Sequence, residues 1–291
     1  MSKKPRPTCM FCDSSEPMTK EHVFRSSWKK TLDTSEHLTA VPGMKRKFIR
    51  YDPRDNSEIR SKNEDLFSVI VKRVCASCNN KWMNDLDSVV EPWIFDPNDD
   101  DSRCDPEEFR RWAIKTALLR CHYENPDSVE SSDPPMLFAG QNISEWHIFI
   151  GHTEMPEHRH AFCGIGPVLV GVGGKPFGIT QVSWTLGRSL VVALRIHGTD
   201  TISTNCFRNF KQYNRHRGIV LREVLPTATE MPSVKMLPEY PVHELERLVW
   251  LFTPDPRSPI AEAVREAIEG TQELANELGV ELRGPNQAGS V

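Results

Sequence analysis

Two C-x-x-C pairs are the residues in this chain best spaced to do chemistry: Cys9-Met-Phe-Cys12 near the start and Cys75-Ala-Ser-Cys78 after a gap of sixty-two residues. Four thiolates from two such knuckles match the tetrahedral preference of zinc, and in a chain with no export signal the spacing favours metal over disulfide. A site closed by four sulfurs keeps no open position, so its role is structural and any reacting metal must sit elsewhere. Thr19-Lys20-Glu21-His22-Val23-Phe24 follows the first knuckle, and Asn79-Asn80-Lys81-Trp82-Met83-Asn84-Asp85-Leu86-Asp87 follows the second. An acid beside an imidazole after one knuckle, and an amide directly after the other, are the residue types that ligate hard cations and move protons.

Around these residues the layout of Lys20-Glu21-His22-Val23 and Cys75-x-x-Cys78-Asn79 resembles the HNH endonuclease family, whose ββα-metal fold often carries two zinc-binding C-x-x-C knuckles flanking an Asp-His or Glu-His pair. Glu-His-Val-Phe followed by Cys-Asn-Asn-Lys-Trp-Met looks more narrowly like a little-characterised bacterial and phage branch, in which a Trp-Ala-x-Lys-Thr-Ala helix such as 112 to 117 tends to follow. The resemblance covers residues 9 to about 90. It implies His22 as general base, Glu21 and Asn79 as ligands of a catalytic Mg2+ or Mn2+, and Zn2+ held by Cys9, Cys12, Cys75 and Cys78. The implied activity is metal-dependent hydrolysis of phosphodiester bonds in DNA, expected to be double-stranded. The family's middle Asn has no counterpart, since Ile70 stands in its place, so a zinc-stapled nucleic-acid-binding protein without catalysis is the alternative expectation. A third is an adaptor whose large C-terminal body binds protein.

The elements that must position these residues follow from pattern. Cys9–Cys12 reads as a tight turn and Met18–Phe24 as a short extended piece. Phe67–Val74, β-branched and partly alternating, reads as a strand feeding the second knuckle. A helix should run from Asn79 to about Val90 and leave at Pro92. Between 25 and 65, basic and polar residues alternate with isolated aromatics, either as a surface facing a duplex or as a twisted hairpin with a solvated edge. Lys45, Arg46, Lys47 and Lys81 are the expected contacts to nucleic acid.

Residues 96 to 106 form an acidic, turn-rich break, dividing the chain into a zinc-stapled module (1–95) and an α+β body of unassigned role (106–291). The body opens with a helix capped by Asp105, carrying Phe109, Trp112, Ala113, Thr116, Ala117 and Leu119 on one apolar side. Strands follow from about 135 to 225, including a hairpin over 179–196 that turns at Leu186-Gly-Arg-Ser189. Glycines 171, 173 and 174 read as bulges or a turn, because no Gly-Lys-Ser/Thr follows. Glu239–Phe252 and 259–278 read as helices. The whole is α+β: an HNH-like ββα-metal module, then a mixed helix and antiparallel-sheet domain.

Composition sets the outer limits. The 291 residues are 38% hydrophobic and 26% charged, values of a globular chain rather than a disordered one. No apolar run approaches a transmembrane length, and Met-Ser-Lys-Lys-Pro-Arg-Pro-Thr lacks the apolar stretch of a secretory signal, so the expected location is the cytoplasm. The formal net charge of −4 conceals an asymmetry: residues 1 to 82 carry 17 Lys and Arg against 10 Asp and Glu, and the remainder carries 19 against 30. A basic module on an acidic body suits a phosphate-binding surface. Cys104, Cys121, Cys163 and Cys206 follow no pattern and read as small buried hydrophobes.

Overall fold

The computed structural model describes residues 7–34, 47–51, 58–63, 66–95, 104–124, 126, 129–153, 164–165, 169–170, 176–186, 189–197, 204, 207–208, 210–211, 221–233 and 237–240. It is a mixed assembly of helices and antiparallel sheets.

The first knuckle turns tightly. Cys9 N–H donates to the Ser14 carbonyl at 2.9 Å and Asp13 N–H to the Cys9 carbonyl at 3.0 Å, with Asp13 at a φ of 54°. Asp tolerates that left-handed conformation better than most residues, which lets the chain reverse without a glycine. Strand β1 (Glu21–His22) then pairs antiparallel with β4 (Ile70–Val71), in register Glu21 to Val71 and His22 to Ile70. The expected strand over Phe67–Val74 is shorter than its pattern. Leu66–Ser68 is a 3-10 turn and only two residues form a ladder, although Phe67, Val69, Val71 and Val74 all point into the core. The remaining backbone bonds go to three separate segments: Val23 N–H to Val69, Thr19 N–H to Val74 and Met10 N–H to Arg73. Alternation correctly marked burial; a continuous partner was missing.

Between the two strands lie α1 (Ser26–Thr34), which the sequence pattern did not signal, and an antiparallel ribbon of β2 (Lys47–Tyr51) and β3 (Glu58–Asn63). After the second knuckle come α2 (Ala76–Cys78), a π-helical turn (Asn79–Met83) and α3 (Asn84–Phe95). Lys81, at φ −114° and ψ −108°, breaks the helical path. Pro92 does not end α3; Trp93 and Ile94 continue it because both are buried, and this packing outweighs the backbone bond that proline removes.

Helix α4 (Pro106–Glu124) starts where Asp105 Oδ1 accepts from Glu107 N–H at 2.8 Å and Glu108 N–H at 3.2 Å. It is not the one-sided helix expected. The expected side, Thr116 included, is buried, but so are Arg110, Lys115 and Arg120, because α4 is packed against both α3 and the large sheet. After α5 (Asp133–Phe138), that seven-stranded sheet comprises β5 (Trp146–Thr153), β6 (Gly164–Ile165), β7 (Leu169–Val170), β8 (Pro176–Leu186), β9 (Ser189–His197), β10 (Arg222–Glu223) and β11 (Glu239–Tyr240). Its main order is β10-β5-β9-β8-β6, with β7 beside β8 and β11 running parallel to β5. The β8–β9 pair, ending at Leu186 opposite Ser189, is the expected hairpin. Glu239–Tyr240 is strand rather than the start of a helix, pairing with His152 and Thr153 at the end of β5. Residues 241–252, the 259–278 helix and glycines 171, 173 and 174 lie outside the described residues.

One continuous core runs from Cys9 and Phe11 through Trp93, Trp112 and Trp146 to Trp184. Phe24 meets Trp184 at a ring separation of 6.0 Å, and Trp112 meets Trp184 at 5.8 Å, so the segment after β1, helix α4 and the sheet share aromatic contacts. Cys104 and Cys121 are buried as expected and form no disulfide, and burial beside Asp105 and Glu108 pushes the Cys104 thiol up to about 12. Cys163 and Cys206 fall outside the described residues. Among the described residues no helix is long and apolar enough to cross a membrane.

Candidate metal centre and adjoining cavity

The four knuckle cysteines converge. Their sulfurs all lie within 4.8 Å of one another, with Cys9 Sγ 3.8 Å from Cys78 Sγ and Cys12 Sγ 3.6 Å from Cys75 Sγ. Those separations are nearly twice a disulfide bond and close to the roughly 3.8 Å edge of a tetrahedron built on a ~2.3 Å zinc–sulfur bond. Cys75 N–H points at Cys9 Sγ (3.4 Å) and Cys78 N–H at Cys75 Sγ (3.5 Å), contacts that favour thiolate. Burial opposes the charge, yet backbone N–H groups leave Cys9 below its ordinary value; for Cys78, burial prevails and the neighbouring sulfurs push the thiol further up. Four thiols so packed can hold a metal ion such as zinc, which would supply the charge that burial withholds.

Beside this cluster, a cavity of about 190 Å³ is lined by Lys20, Glu21, His22, Arg25, Ser26, Asn79, Asn84 and Asp87. Glu21, His22 and Asn79, singled out from sequence, therefore meet at one place, delivered by β1 and by the turn after the second knuckle. His22 Nδ1 lies 2.8 Å from the Phe67 carbonyl. A carbonyl can only accept, so Nδ1 carries the proton in the neutral ring and Nε2 is the lone-pair nitrogen. The Phe67 carbonyl thus orients the imidazole.

A similar deduction orients Asn79. Thr19 Oγ1 donates its single proton to the Val74 carbonyl at 3.0 Å, so it accepts from Asn79 Nδ2 at 2.9 Å, leaving Asn79 Oδ1 as a carbonyl-type acceptor turned the other way. Glu21 is 5% exposed, and burial lifts its carboxyl to about 7; Lys115 pulls it down and Asp87 pushes it up.

Pattern reasoning missed Asp87, Arg25 and Lys20. Asp87 is buried on α3, and Lys115 Nζ reaches its Oδ1 from α4 at 2.5 Å. Its signal was present: Met83, Val90 and Ile94 lie four before, three after and seven after it, all buried, so an acid stands in an apolar stripe. Arg25 is clamped to α3 through Asn84 Oδ1 (2.6 Å), Glu91 Oε2 (3.0 Å) and Ser88 Oγ (3.2 Å), a contact set no local pattern encodes. Of the expected basic contacts, Lys81 is exposed at the helix break, Lys47 opens β2, and Lys45 and Arg46 lie outside the described residues. The fold and site thus define an α+β protein with a four-thiol cluster able to hold a metal ion, beside a charged, imidazole-bearing cavity. Comparison with family models, curated proteins and solved structures returns no match, so the functional reading rests on this geometry.

Proposed function

We propose that the protein is a metal-dependent endonuclease hydrolysing phosphodiester bonds of DNA, with an HNH-like ββα module stapled by zinc at Cys9, Cys12, Cys75 and Cys78. The observation that carries this reading is the joint lining of one cavity by Glu21, His22 and Asn79, with His22 held through Nδ1 so that Nε2 is its basic nitrogen. In the reaction His22 Nε2 takes a proton from water as the water oxygen attacks phosphorus and the 3'-oxygen departs. A hard divalent ion such as Mg2+ or Mn2+, held by Glu21 and Asn79, would neutralise charge on the phosphate and on the leaving oxygen. Lys20 at the cavity, with Lys45, Arg46, Lys47 and Lys81 beyond it, would draw in the DNA backbone; such contacts position without reading sequence.

The test is nicking of supercoiled plasmid by the zinc-loaded protein in Mg2+ or Mn2+. Wild type is expected to nick, and Glu21→Gln to lose the activity while keeping its zinc. Absence of cleavage under either metal, with DNA affinity retained, would overturn the nuclease reading in favour of a zinc-stapled DNA binder.

A further inference from the structure

Two buried carboxylates line the cavity, and their surroundings differ. Glu21, 5% exposed, makes no side-chain hydrogen bond among the described residues. Asp87, 7% exposed, has Oδ1 pinned by Lys115 Nζ at 2.5 Å, and its Oδ2 makes no hydrogen bond among the described residues. Lys115 is 1% exposed and stands behind Asp87 rather than on the cavity wall. A buried carboxylate with empty lone pairs is costly unless something fills them.

Charge balance says what kind of group. Of the cations near the cavity, Arg25 is taken up by Glu91 and Asn84 and Lys115 by Asp87, and Lys20 makes no ion pair with either carboxylate among the described residues, so Glu21 has no cation held to it. The donors on the cavity wall include two carboxylates and the Asn79 amide beside the His22 imidazole, and hard cations take the oxygens of such partial sets and complete them with water.

We propose that Asp87 is a third oxygen ligand of the divalent cation, one oxygen fixed by Lys115 and the other given to the metal. The inference rests on the cation reading above and extends it to a residue contributed by α3 and steadied from the C-terminal body. If the Asp87–Lys115 pair served only to join α3 to α4, its removal would leave cation affinity unchanged.

The measurement is Mn2+ binding to the zinc-loaded full chain, followed by electron paramagnetic resonance of the free ion, without DNA. The double variant Asp87→Leu with Lys115→Met removes one negative and one positive charge together and leaves no oxygen on the side chain, so a loss of affinity reports a lost ligand rather than a weaker field. Affinity is expected to fall by about tenfold or more, with Glu21→Gln at least as damaging; affinity within about twofold of wild type overturns the proposal. Circular dichroism and zinc content verify the fold. Should the double variant not fold, Asp87→Asn alone, whose amide oxygen accepts from Lys115 and whose NH2 replaces the free oxygen, is compared with Asp85→Asn, which removes the same charge from an exposed position on the same helix; only the change at Asp87 should weaken Mn2+ binding. Nicking assays on the same samples separate the two readings. Mn2+ bound through Asp87 without cleavage keeps this ligand set and removes the nuclease; cleavage with unchanged Mn2+ affinity in the variant does the reverse. A wild type that binds no Mn2+ overturns the ligand set.

Discussion

Replacing Glu21 by Gln should make the protein more stable at neutral pH while disabling it. Burial lifts the Glu21 carboxyl from 4.5 to about 7 in the folded chain. The folded state therefore holds the proton more tightly than the unfolded state, and unfolding between those two values releases it. Stability from this group is intact below 4.5, falls as pH rises through about 7, and is level above. At ~1.4 kcal/mol for each tenfold change in proton affinity, the cost at pH 8 is about 3 kcal/mol, with no discount for solvent because the side chain is almost fully buried. Gln has nearly the same shape and no charge to bury. Urea unfolding of wild type and Glu21→Gln, both zinc-loaded and free of added Mg2+ or Mn2+, should give midpoints that coincide near pH 4 and separate in favour of the variant by pH 8. Comparing the two proteins at each pH cancels zinc release, which both share. Added Mn2+ should narrow the gap by stabilising wild type alone. Equal stabilities at pH 8, or a less stable variant, would refute the burial argument and with it the idea that the cavity holds an anion in want of a cation.

Other elements give independent tests. Cys75→Ser removes one of four clustered sulfurs and should drop bound zinc well below one equivalent by atomic absorption, with loss of the β1–β4 pairing seen by hydrogen exchange. Asp105→Ala deletes both cap bonds of α4 and should cost about 1 kcal/mol in urea unfolding. Glu223 is half-buried, which alone would raise its carboxyl, but the bond and charge of His147 and the charge of Lys211 hold it below its ordinary value. Its contribution should thus be present above pH 4.5 and fade as pH falls, so wild type and Glu223→Gln should differ at pH 6 and converge near pH 3 in thermal melts.

How far the sequence could be read differs by element. The zinc-type knuckles were legible because spacing alone delivers four sulfurs, and the β8–β9 hairpin because two β-branched runs meet at a short turn. Glu21, His22 and Asn79 were legible as residue types, but their meeting depends on β1 pairing with β4 across nearly fifty residues of chain. Helix α1 went unseen because Lys29 and Lys30 flank the buried Trp28 and mask its apolar side. Asp87 and Lys115 were hidden for a different reason: each was passed over as an ordinary charge, whereas each stands in an apolar stripe and only the packing of α3 on α4 brings them together. The helix after the second knuckle reads as unbroken in sequence, since no glycine or proline marks the break at Lys81. Its position, between the Asn79 amide and the Asp87 carboxylate, lets one chain segment present both to the cavity.

The central claim is that His22 moves the proton in phosphodiester hydrolysis, and chemical rescue tests it most directly. His22→Ala, zinc-loaded and in Mn2+, should nick supercoiled plasmid about 100- to 10,000-fold more slowly than wild type, and added imidazole should restore a measurable part of the rate in proportion to its unprotonated form. The same imidazole should do nothing for Glu21→Gln. Nicking by His22→Ala at the wild-type rate would contradict the account, as would a wild type that leaves the plasmid intact.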